Sequence, residues 1–68
     1  MRHIKEFLCD GSYPTNEEIE KCIRAAKNEN CVIFLRWMAV NSQMYSIFIE
    51  EGSTFEECMK QIPSFIPM

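Results

Sequence analysis

The chain reads as an α+β protein of two layers, an antiparallel β-hairpin with two capped helices on one face. Three observations predict this class. Two β-rich runs, CVIFLRWMAV from Cys31 and MYSIFIEEG from Met44, are joined by a short polar break. Two capping boxes stand elsewhere in the chain. Each is followed by an apolar stripe at helical spacing, so helices must cover a sheet. The expected element order is α-α-β-β-α, or β-α-β-β-α if residues 3–9 form a strand.

In that first segment Ile4, Phe7 and Leu8 fit a little more than one helical turn, with Gly11 as a stop. A strand would alternate Ile4, Glu6 and Leu8, a poorer match, so a helix is expected.

Thr15 followed by Glu18 starts the next helix, the hydroxyl accepting from an orphan amide while the carboxylate reaches back. Pro14 can staple onto Ile19, and Glu17 and Glu18 sit in the first turn, where the helix dipole favours negative charge. Ile19, Cys22, Ile23 and Ala26 recur at i, i+3, i+4 and i+7 between Glu20, Lys21, Arg24 and Lys27. Asn28 or Asn30 can take the left-handed position that ends it, so the helix is expected from residue 16 to about 28.

The register of the hairpin decides which side chains share a face. If Asn41, Ser42 and Gln43 form the connection, Val40 lies opposite Met44, Trp37 opposite Ile47 and Leu35 opposite Ile49. One face is then wholly apolar: Ile33, Leu35, Trp37, Ala39, Tyr45, Ile47 and Ile49. The other carries Val32, Phe34, Arg36, Met38, Val40, Met44, Ser46, Phe48 and Glu50. An even loop would bring Arg36 in among the apolar residues, where burying its charge is expensive, so the odd loop is preferred. Gln43, or Asn41 in a shifted turn, is the expected left-handed residue.

Gly52 breaks the second strand, and Ser53 with Glu56 or Thr54 with Glu57 caps the last helix. Its stripe is Phe55, Cys58, Met59 and Ile62, and Pro63 stops it. The tail PSFIPM is apolar yet cannot continue a helix, so Phe65 and Ile66 are expected either to tuck onto the domain or to meet a partner.

A chain of 68 residues makes one domain, 1–68, near the lower size limit for a core without staples. Its 47% hydrophobic and 25% charged residues exclude a disordered or fibrous class. Cys9, Cys22, Cys31 and Cys58 lack the paired spacing of a zinc knuckle. Cys22 and Cys58 fall on apolar stripes, which reads as reduced core thiols rather than a disulfide framework. There is no membrane-spanning run, and Lys5, Glu6 and Asp10 interrupt any signal peptide, so a cytoplasmic protein is expected.

Enzyme chemistry finds little to use. The single imidazole, His3, lies near the terminus without a nucleophile and orienting partner. The pairs Glu17/Glu18, Glu50/Glu51 and Glu56/Glu57 are adjacent in sequence, so their side chains diverge. Gly11 and Gly52 are isolated, which rules out a phosphate-cradling loop. No cofactor and no metal is expected. A net charge of -3 speaks against non-specific nucleic-acid binding, although Arg2, Lys5, Lys21, Arg24 and Lys27 could form a basic edge that supports a nucleic-acid-binding or transcription-regulatory alternative.

What remains is protein binding. Two helices shelter one side of the hairpin, and the open side collects Phe34, Arg36, Met38, Met44 and Phe48, the Met, aromatic and Arg types that interface centres favour. With Phe65 and Ile66 as auxiliaries, these are the expected partner-binding residues. The occupant is another protein or a second copy of the chain, and the alternative to any occupant is that the N-terminal segment or the tail covers the face. By analogy of size and type, a stoichiometric inhibitor or adaptor, including the kind carried by phages and other mobile elements, fits best. A structural homodimer subunit is the third reading.

Overall fold

The computed structural model describes residues 3–64, with strands β1 (Ile4–Leu8), β2 (Val32–Met38) and β3 (Met44–Ile49), and helices α1 (Asn16–Glu29) and α2 (Phe55–Gln61). The order is β-α-β-β-α. Residues 4–8 are therefore a strand, which corrects the expected N-terminal helix and adds a third strand to the hairpin. β1 runs parallel to β2, with Ile4 beside Val32 and Leu8 beside Arg36. The pairing is bracketed by Val32 N–H donating to the His3 carbonyl and Cys9 N–H donating to the Arg36 carbonyl, both at 2.9 Å. Alternation failed as a signal here because each side of β1 is mixed. Ile4, Glu6 and Leu8 share one side, while Lys5 and Phe7 share the other.

A parallel pair needs a crossover, and α1 supplies it. Glu18 N–H donates to Thr15 Oγ1 at 3.1 Å and Thr15 N–H donates to Glu18 Oε1 at 2.9 Å, so the expected capping box is formed. Asn30, in the left-handed conformation at φ 50°, ends the helix by donating its N–H to the Ala26 carbonyl. Thr15→Ala should lower stability by about 1 kcal/mol, read as a downward shift of the urea midpoint with an unchanged slope. An unchanged midpoint would mean that the cap contributes nothing.

The hairpin keeps the expected faces but not the expected partners. β2 and β3 pair with Ile33 opposite Ile49, Leu35 opposite Ile47 and Trp37 opposite Tyr45, two residues away from the register expected from the sequence. The cause is the turn. Ala39 N–H donates to the Gln43 carbonyl and Ser42 N–H to the Ala39 carbonyl, so the three-residue connection is Val40, Asn41 and Ser42. Ser42 is the left-handed residue, at φ 66°, and Asn41 Oδ1 accepts from Gln43 N–H. The loop remains odd, so every side chain stays on its expected side of the sheet.

Gly52, at φ 87°, turns the chain from β3 into α2. Thr54 and Glu57 form the second capping box, the later of the two frames open in the sequence. The sheet order is β1-β2-β3, and both helices lie on one side of it. Ile19, Cys22 and Ala26 from α1 and Cys58 from α2 close over Ile33, Leu35, Trp37, Ile47 and Ile49, which gives one buried cluster between the two layers. Trp37 is fully buried at its centre, with Tyr13 and Tyr45 rings at centroid distances of 6.2 and 6.1 Å.

Candidate functional site

The side of the sheet turned away from the helices is uncovered among the described residues. Even-numbered positions of the three strands point there, because side chains alternate along each strand and paired residues share a face. Among the described residues, the large apolar side chains left exposed are Ile4, Leu8, Met38, Val40, Met44 and Phe48, and all six lie on this side or on the turn that borders it. Residues 4–8 do not cover this side. As β1 they lie beside the hairpin and widen the open surface.

A row of contacts crosses the middle of the face from β3 to β1. Phe48 and Phe34 stand directly opposite, their ring centroids 4.8 Å apart and tilted by 37°. The Arg36 guanidinium lies 5.7 Å from the Phe34 ring centroid and donates from Nη1 to Glu6 Oε1 at 3.1 Å. Arg36 is thus engaged on both flanks, held by an aromatic ring and a carboxylate. This polar centre sits between apolar ends, with Ile4 and Leu8 on one side and Met44 and Phe48 on the other. Beside it, Leu8, Asp10, Arg36, Met38 and Met44 line a shallow hollow of about 530 Å³.

Of the residues expected from the sequence, the structure brings Phe34, Arg36, Met38, Met44 and Phe48 together on this face. Phe65 and Ile66 lie outside the described residues. The sequence reading missed Ile4, Glu6 and Leu8, because a helix was expected there. The strand alternative for residues 3–9 was the reading that would have placed them there.

The backbone of Phe48 is fixed from outside the sheet. Gln61 of α2 donates from Nε2 to the Phe48 carbonyl at 2.7 Å and accepts the Phe48 N–H on Oε1 at 3.1 Å. The side-chain amide thereby stands where a fourth strand would pair.

The cysteines belong to the core. All four are buried and unbridged. Burial, reinforced by the neighbouring Glu18 carboxylate, pushes the Cys9 thiol from its ordinary value of 9.0 up to about 12, and burial likewise lifts Cys22 to about 11. Such thiols are poor nucleophiles at neutral pH. The folded state holds these protons more tightly than the unfolded chain does, so their contribution is fully present below pH 9.0 and declines as pH climbs towards about 12. The urea midpoint should therefore fall above about pH 9, and more steeply than in a Cys9→Ala, Cys22→Ala variant. Equal slopes in the two proteins would refute this assignment.

The cations proposed for a basic edge are divided. Lys5 is ion-paired with Glu29 at the end of α1, Arg2 lies outside the described residues, and Lys21, Arg24 and Lys27 stand on α1. Among the described residues, no group of three His, Cys, Asp or Glu side chains could hold a metal ion, and no helix is long and apolar enough to cross a membrane.

The chain was compared with known protein families, with characterised proteins and with solved structures, and nothing in the three comparisons matches it.

Proposed function

We propose that the protein is a non-enzymatic binding module that occupies a surface of another protein through its open sheet face, acting stoichiometrically as an inhibitor or adaptor. The observation that carries this reading is that, among the described residues, the exposed large apolar side chains segregate to one side of the sheet and its bordering turn. Scattered singly, such residues would need no explanation. The composition supports the reading further. The face combines adaptable Met38 and Met44 with an aromatic pair and an arginine already oriented by Glu6. The four buried, unbridged thiols favour a reducing compartment such as the cytoplasm.

The test is capture under native conditions, comparing the wild type with a Met38→Glu, Met44→Glu variant. Both methionines are exposed, so the variant should keep its circular dichroism. One stoichiometric companion held by the wild type and lost by the variant supports the reading. A companion retained by the folded variant refutes it.

A further inference from the structure

The two edges of the sheet are treated differently. Along β3, the outward-directed backbone groups of Phe48 are taken by Gln61 and the Glu50 N–H donates to Ser53 Oγ at 3.0 Å, so that edge is closed over its second half. Only Met44 and Ser46 of β3 keep outward groups that no described residue bonds. Along β1, the odd-numbered residues bond to β2, so the N–H and C=O groups of Ile4, Glu6 and Leu8 point outward. No described residue bonds to them. An open edge of this kind is a template for another strand, and proteins ordinarily guard it with charge. Here the charges that could guard it are engaged within the chain, Lys5 with Glu29 and Glu6 with Arg36. The most exposed large apolar residues of the described chain, Ile4 at 67% and Leu8 at 62%, flank Glu6 on the same edge.

We propose that β1 pairs antiparallel with β1 of a second copy of this chain, across a two-fold axis at Glu6, giving a continuous six-stranded sheet. The occupant follows from the pattern. The outward-bonding residues Ile4, Glu6 and Leu8 are apolar, charged, apolar about their own centre, so a two-fold at Glu6 sets Ile4 opposite Leu8 of the second copy and Leu8 opposite its Ile4. All outward groups of the three residues find partners in that register. The two Glu6 carboxylates meet at the axis, each bonded to its own Arg36, and the four-charge cluster is neutral. The helices do not obstruct this approach, because α1 packs principally on β2 and β3. The open faces of the two copies would lie on the same side, so the dimer doubles the surface proposed above for a partner. The pairing itself concerns the edge and stands independently of that proposal.

The experiment is light scattering across a dilution series, with amide exchange on the same samples. The wild type should rise from 8.0 kDa towards twice that mass with concentration, and the Ile4, Glu6 and Leu8 amides should become protected in parallel. An Ile4→Lys, Leu8→Lys variant should fold and stay monomeric. Glu6→Lys alone should weaken self-association at least about tenfold, since two lysines and two arginines then crowd the axis. Mixed with wild type it should form a heterodimer, because the introduced lysine of one copy meets Glu6 of the other. A wild type that is monomeric at every concentration overturns the proposal, as does a dimer that survives the paired lysines. Exchange of the Ile4, Glu6 and Leu8 amides that does not depend on concentration would also overturn it, without reliance on any variant.

Discussion

Trp37→Ala is expected to remove most of the stability of this domain. A chain of 68 residues has roughly 3–10 kcal/mol to lose in total. Trp37 is fully buried at the centre of the cluster that the two layers share, between the rings of Tyr13 and Tyr45. Truncating a buried tryptophan costs about 3–5 kcal/mol, because the transfer energy is lost and a cavity remains. With a urea slope of about 1 kcal/mol/M, that moves the midpoint by about 3 M or leaves the chain unfolded in buffer. Trp37→Phe separates packing from hydrogen bonding. The indole N–H is buried and has no acceptor among the described residues. Losing it removes a desolvation cost of about 1–3 kcal/mol, which offsets the smaller ring. Phenylalanine should therefore be tolerated far better than alanine. Similar midpoints for the two variants would show that the ring's volume is not what holds the layers together.

The helices and the two sides of the hairpin were legible from local chemistry. Thr15 with Glu18 and Thr54 with Glu57 fix helix starts through bonds made within four residues, and these can be read without knowing the rest of the fold. The assignment of Trp37 to the covered side and Phe48 to the open side depended only on the loop being odd, so it survived a register two residues away from the expected one. The exact pairing was less legible because it rests on which residue takes the left-handed conformation. Ser42 does so here, a choice fixed by the Asn41 side chain and the Ala39–Gln43 pair rather than by a glycine. β1 was legible only as the alternative to a helix, for a different reason. A parallel strand gains its identity from a partner nearly thirty residues away, and IKEFL carries an apolar residue on each side of the strand. The same failure hid part of the site, since Ile4, Glu6 and Leu8 reach the open face only through that long-range pairing.

Phe48→Asp should divide folding from binding more sharply than any other change on the open face. Phe48 is 49% exposed, and its main ring contact is Phe34 across the strand pair. Its backbone is anchored by Gln61 through groups that any side chain leaves in place. The fold should therefore lose only about 1 kcal/mol, the size of a cross-strand aromatic contact. Binding is a different matter. Aspartate places a charge beside the apolar half of the face, which a docked partner would have to desolvate, and central interface residues commonly cost about 2 kcal/mol or more when altered. Affinity for the captured companion should drop about thirtyfold or beyond, measured by titration with circular dichroism as the control for folding. Lys27→Glu, on the helical side, should leave affinity unchanged. Loss of the helical signal in Phe48→Asp would make Phe48 a core residue, and undiminished binding would move the interface elsewhere. The edge-paired dimer gives this variant a second use. β1 and β3 lie on opposite edges of the sheet, so Phe48→Asp should weaken partner binding by that factor while self-association through β1 persists.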